Sequence, residues 1–163
     1  MKILIALLTA IYAVSFFTDT TVLGATSMSP WYCYVTYNFI HVNILHLAVN
    51  SLFLYLYWKR IYFIPLRVRL VMVATIPVIS AALSARTMPT IGISAVVMTI
   101  AGMYVAWFPH KLMARTVAIF TVSSLLTFFF APHINTSIHV YSFGFALMIE
   151  RVRRYLSVVI SKR

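Results

Sequence analysis

Six apolar runs dominate this sequence: Ile3 to Thr18, Asn43 to Trp58, Leu70 to Ala85, Ile91 to Phe108, Thr116 to Ala131 and Ile134 to Ile149. Segments this apolar, joined by short connections, are suited to a bilayer rather than to water, and nothing constrains the fold more. A spanning helix needs roughly 20 residues, so each run sits near the short end of that range and six of them use up the chain. A mean hydropathy of +0.96 agrees, and no length remains for a separate soluble domain. Helix is the predicted state of every run, because an unpaired backbone amide in lipid costs several kcal/mol. The expectation is an all-α, polytopic membrane protein forming one six-span domain over residues 1–163, with Pro77 kinking the third span or being propped by a neighbour.

Charge orients this bundle. Thirteen Lys and Arg stand against two acids, Asp19 and Glu150. In a soluble chain that balance would suggest nucleic acid; here the basic residues cluster between apolar runs, where they set topology and meet anionic lipid headgroups. Membrane lipids are therefore expected partners and nucleic acid is not. With Lys2 in the cytoplasm, every other Lys and Arg except Arg86 falls on the same side, which puts both termini there. Trp31 then belongs to the outer interface, and Trp58 and Trp107 to the inner one. The only cysteine, Cys33, has no partner for an internal disulfide and falls in the long outer loop. Lys2, the first apolar run and the small pair Gly24-Ala25 also fit a cleavable signal peptide, but the run ends at Asp19, well before that pair, so a retained span is the preferred reading.

Polar side chains inside the runs carry most of the remaining information. His46 and Asn50, four residues apart in the second run, stack on one helix face and must meet protein or water. Gly92 and Ser94 open the fourth run, and His139 lies at similar depth in the sixth. A lone serine in such a helix usually bonds its own backbone, and a lone histidine is usually structural. Ser94, His139, His46 and Asn50 together, on three spans near one surface, have a chemical reading. Serine is a poor nucleophile until a base takes its proton, and His139 is the histidine of the later spans able to do so. The resulting oxyanion needs donors fixed in advance, which His46, Asn50 and the Ser94 backbone amide can supply. Glu150 is eleven residues beyond His139, roughly 16 Å along a helix, too far to serve as a third member. Asp19, in the outer loop, is left open by distance; a Ser-His dyad is the simpler reading.

These residues resemble the rhomboid family of intramembrane serine proteases, over essentially the whole chain. The matching positions are Phe39-x-His41-x4-His46-x3-Asn50, Gly92-x-Ser94 with Gly102, and His139. The resemblance implies that Ser94 is the nucleophile, His139 the general base, His46 and Asn50 oxyanion-hole donors, and His41 a polar support at the mouth of the site. It also implies a transmembrane protein substrate cut at a small residue, with access through movement of the fifth span. Some positions depart from the family. Ala95 replaces the usual Gly after the serine, and Met98 replaces an aromatic that stacks on the catalytic histidine. Ser142 and Ala146 stand for a Gly-x-x-x-Gly and keep its small-x-x-x-small character, while Tyr32-Cys33 stands where a Trp-Arg pair is usual.

Other chemistries fit less well. An aspartyl intramembrane protease needs two aspartates, and a His-Glu-x-x-His zinc protease needs a glutamate beside its histidines; the chain has neither. A zinc site from His41, His46 and His139 is a weaker alternative, and no inverted repeat suggests a transporter. The expectation is an intramembrane serine endopeptidase without metal or cofactor, in a bacterial cytoplasmic membrane. The rival reading is a catalytically inactive rhomboid-like protein that binds transmembrane segments.

Overall fold

The computed structural model describes residues 2–108 and 135–161. The predicted fifth span, Thr116 to Ala131, lies outside the described residues, as do Pro132, His133, Lys111, Arg115, Lys162 and Arg163. The described residues form helices joined by ordered loops, with one isolated antiparallel bridge between Ala25 and Thr90. The helices are α1 (Lys2–Val14), the single turn α2 (Cys33–Thr36), α3 (Ile44–Arg60), α4 (Leu66–Leu83), α5 (Ser94–Trp107) and α6 (Thr136–Ser161).

Their limits differ from the apolar runs for identifiable reasons. α1 stops at Val14 because Ser15 turns its hydroxyl back onto the Tyr12 carbonyl at 2.7 Å and the next amides close tighter turns. α4 begins directly after Pro65, whose fixed φ suits a helix entrance, so Arg67 and Arg69 are helical rather than in a loop. It continues through Pro77, and the Tyr37 hydroxyl donates to the Pro77 carbonyl at 3.0 Å. α6 runs well past Ile149, through Glu150, Arg153 and Arg154, residues that favour helix and make contacts along it: Arg153 with Glu150 and Arg154 with the Ala106 carbonyl. Among the described residues and taken singly, only α4 is long and apolar enough to cross a bilayer; the segments Cys33–Phe39 and Ile44–Arg60 pass that test together, with a 95° bend between them. α1 and α5, with 13 and 14 residues, are apolar but short.

α5 occupies the centre, with buried residues around its whole circumference, the pattern of a core helix. Leu8 of α1, Leu54 of α3, Ile76 of α4 and Met103 of α5 belong to one buried cluster. α6 lies parallel to α5, which three levels of contact define: Ser94 with His139, Gly102 with Ala146, and Trp107 with Glu150. At the middle level a Cβ on Gly102 would stand 2.9 Å from the Ala146 Cβ and against the Phe143 carbonyl oxygen, so the close approach requires glycine there. Ser142 and Ala146, both fully buried, supply the opposing small surface.

The third level joins the far ends of the two helices. Glu150, fully buried, accepts from the Trp107 indole N–H at 2.7 Å and from Arg153 at 2.6 and 2.8 Å. Arg154 caps α5 by donating to the Ala106 carbonyl at 2.6 Å, with its guanidinium over the Trp107 ring. Lys59 and Arg60 end α3 at this same end, where Arg60 lies over Tyr104 and Arg69 over Trp58.

Gly102→Val should lower the thermal midpoint of the detergent-solubilised protein, at a cost of about 1–3 kcal/mol for overpacking. Gly144, where an added Cβ meets nothing within 4 Å, should accept Ala with no loss. Equal midpoints for the two variants would refute the proposed role of Gly102 in helix spacing.

Candidate active site

The polar residues singled out from separate runs meet at the other end of α5 and α6. Ser94 is the first residue of α5 and His139 sits in the first turn of α6. The two are 45 positions apart in sequence, yet His139 Nε2 lies 2.7 Å from Ser94 Oγ. In the tautomer with Nε2 unprotonated, the serine hydroxyl donates to the imidazole, the geometry a base needs to withdraw that proton.

Several backbone and side-chain contacts hold the segment before Ser94. Gly92 has a φ of +113°, a region L side chains rarely adopt, and its N–H donates to the Tyr37 carbonyl at 2.8 Å. Thr90 and Ala25 exchange a pair of backbone hydrogen bonds at 2.8 and 3.0 Å. Buried Asn135, just before α6, donates to the Ser84 carbonyl and to Thr90 Oγ1, each at 2.9 Å. Thus α4, α6 and the long first loop all anchor the turn that presents Ser94. Ile93, at the N-cap of α5, offers no side-chain acceptor to the amides of its first turn.

α3 brings the remaining residues. Asn43 caps it, accepting the His46 N–H on its side-chain oxygen at 2.8 Å. The His46 ring then lies against Gly92: a Cβ on that glycine would stand 2.9 Å from His46 Nε2. The Gly-x-Ser glycine is required here twice, by its backbone angle and by this ring. Asn50 is one turn further on the same face, buried, and its amide nitrogen has no hydrogen-bond partner among the described residues. His41 is buried before α3, edge-on to His46 with ring centroids 5.2 Å apart. Met98, one turn into α5, is half-buried, and Ala95 is fully buried with its carbonyl accepting from Thr99 Oγ1 at 2.9 Å.

Neither carboxylate belongs to this constellation. Asp19 accepts from the Thr21 hydroxyl and N–H at 2.6 and 2.9 Å, contacts that hold its carboxyl below the usual carboxylate range. Glu150 is bound at the far end. Nor do His41, His46 and His139 converge as a metal site: among the described residues no three His, Cys, Asp or Glu side chains do so. Tyr37 and Asn135, which fix the loop geometry, were not singled out in the sequence; an isolated Tyr or Asn gives no sign of a partner 40 or 51 positions away. Cys33 is fully buried, with its thiol against the Val22 carbonyl, so a loop position does not make it accessible.

The family model for the Rhomboid domain matches residues 28–148, a stretch that includes His41, His46, Asn50, Gly92, Ser94 and His139. No curated protein matches the chain.

Gly92→Ala should disturb both the left-handed turn and the His46 ring, and the turnover of any substrate cleaved by the wild type should fall at least about tenfold, as for a misplaced reacting group. Retained turnover would mean that neither constraint bears on Ser94. In the native fold Cys33 should resist a maleimide that labels it readily after denaturation; rapid native labelling would contradict its burial.

Proposed function

The chain belongs to the rhomboid family, and from that premise we propose that this integral membrane protein is an intramembrane serine endopeptidase cutting transmembrane protein substrates. The observation that carries the reading is the 2.7 Å separation of Ser94 Oγ and His139 Nε2. As Ser94 Oγ attacks the substrate carbonyl carbon, His139 Nε2 takes its proton and the carbonyl π electrons move onto oxygen. His46, the Asn50 amide and the Ser94 N–H are the donors for that oxyanion, the last favoured by its place at a helix N-terminus. His139 then gives its proton to the leaving amine nitrogen as the C–N bond breaks, leaving an acyl-enzyme. Water attacks the ester carbonyl while His139 accepts its proton, and the proton returns to Ser94 as the acyl group departs. No cofactor or metal enters this sequence.

Asn50 supports the reading independently. Among the described residues its buried amide nitrogen has no partner, so it is available to donate to an oxyanion beside His46. The cut lies near the outer membrane face if the basic end of the bundle is cytoplasmic, together with both termini, and the proposed setting is a bacterial cytoplasmic membrane. Hydrolysis requires water at Ser94, so the site must open to that outer face, and the substrate helix must unwind locally to offer its carbonyl. The fifth span, assigned to substrate access by family resemblance, lies outside the described residues. The alternative of an inactive, segment-binding homologue leaves the Ser94–His139 pair without a task, although Met98 and Ala95 depart from the usual active pattern.

A fluorophosphonate should label the solubilised protein at Ser94, with labelling abolished in Ser94→Ala and strongly reduced in His139→Ala while both variants keep their helical content. A folded wild-type protein that reacts with no such reagent and cuts no transmembrane substrate would establish the inactive reading. Asn50→Ala should lower kcat by roughly 10- to 1000-fold, the range for loss of one oxyanion donor. For orientation, Met28→Cys in a Cys33→Ala background offers an 89% exposed position at the Ser94 end, which an impermeant maleimide should reach only from the outside of intact cells.

A further inference from the structure

We propose that Trp107 and Glu150 are positioning residues for the Ser94–His139 pair, acting from the opposite end of the bundle by fixing how α6 is set against α5. The inference deepens the reading of Ser94 as a nucleophile and rests on it. Glu150 is too far from His139 to touch it, so any influence must pass through the helix that carries both. His139, Ala146 and Glu150 follow i, i+7, i+11 spacing, which places them along one stripe of α6.

Close packing of small residues at Gly102 sets the distance between the two helices, but without interlocking side chains it leaves them room to rock and turn about that level. Asn135 tethers α6 only near its entrance, to Ser84 and Thr90. The remaining motion is arrested at the far end. From Gly102, Ser94 lies about 12 Å along α5 in one direction and Trp107 about 7.5 Å in the other. Rocking that opens the lower contact by about 1 Å therefore shifts the upper one by roughly 1.6 Å, which takes a hydrogen bond out of reach.

The lower contact is built as a fixed point. Glu150 is fully buried, its Oε1 accepts the Trp107 indole N–H at 2.7 Å, and Arg153 grips both carboxylate oxygens at 2.6 and 2.8 Å and so holds their orientation. The indole is held as well. The Phe63 ring centroid lies 4.8 Å from that of Trp107, and the Arg154 guanidinium carbon lies 4.1 Å from it. Well-packed apolar side chains often stabilise a core as well as a buried ion pair does, so what Glu150 adds is direction rather than strength.

Fluorophosphonate labelling of the solubilised full chain, resolved into kinact and KI well below each variant's thermal midpoint, tests the role. Trp107→Phe keeps a ring against Phe63 and Arg154 and removes only the donor; it should lower kinact about tenfold or more and leave KI unchanged, as for a misplaced reacting group. Glu150→Leu should do the same. Glu150→Gln, which still offers the indole an acceptor, should label at the wild-type rate. Leu8→Ala, a cavity on α1, which carries no residue of the site, should lower the thermal midpoint and leave kinact unchanged. A folded Trp107→Phe protein that labels at the wild-type rate would overturn the proposal, as would an equal fall in kinact for Leu8→Ala. If Trp107→Phe loses helical content, the contrast between Glu150→Leu and Glu150→Gln decides. A wild-type protein that takes no label would refute Ser94 as the nucleophile, and the nitrogen chemical shift of His139 Nε2, assigned by its loss in His139→Ala, then decides the positioning role. That shift reads the hydrogen bond from Ser94 without a reagent and should move toward the free-imidazole value in Trp107→Phe; the same shift in both proteins would overturn the proposal.

Discussion

The contact on which this structure depends is the close, parallel approach of α5 and α6 at Gly102. Lipid tails offer helices no hydrophobic reason to associate, so packing and hydrogen bonds must do so. Gly102, Ser142 and Ala146 remove side-chain bulk at that level. The levels above and below then follow: His139 comes within hydrogen-bond reach of Ser94, and Glu150 within reach of Trp107. A hydrogen bond weakens steeply outside its narrow range of length and angle, so the upper contact inherits its precision from the middle one. The lower contact closes both helices together with a buried carboxylate whose neighbours, Trp107 and Arg153, satisfy it.

Around this pair, the rest of the chain fixes the turn ahead of Ser94. The left-handed Gly92 is held from one side by the Tyr37 carbonyl and bounded on the other by the His46 ring. Tyr37 in turn leans on Pro77 in α4, and Asn135 links the entrance of α6 to Ser84 and Thr90. A serine on an untethered loop would not hold one position; the turn before Ser94 is instead tied to several helices, which fixes where its hydroxyl lies. The two ends of the bundle thus divide between them: hydrogen-bonding groups around Ser94 at one, with Asp19 and Arg86 in its loops, and clustered arginines, aromatic rings and the buried Glu150 at the other.

Much of this was legible in the residues themselves. The apolar runs within the described residues pointed to helices, and the spacing of His46 and Asn50, the Gly92-x-Ser94 step and His139 pointed to a common surface, because helical periodicity and the rarity of polar groups in lipid are local properties. Helix limits were less legible. Arg67 and Arg69 read as loop residues but lie in α4, which starts after Pro65, and α6 extends through a cluster of charges, because Glu and Arg favour helix even where hydropathy falls. Cys33 falls in the long first loop and is nonetheless buried, since that loop folds back on itself through Thr36, Tyr34 and Ser29.

The sequence alone therefore determined the helical class and the family, and singled out Ser94, His139, His46 and Asn50 as candidates, since each depends on composition and on spacing within one segment. Only the tertiary structure decided which of them meet. That Ser94 meets His139, that Glu150 faces Trp107, and that Asn135 braces the turn before Ser94 all depend on contacts between segments distant in the chain. Such contacts are set by the fit of one helix surface against another, a property that no single stretch of sequence contains.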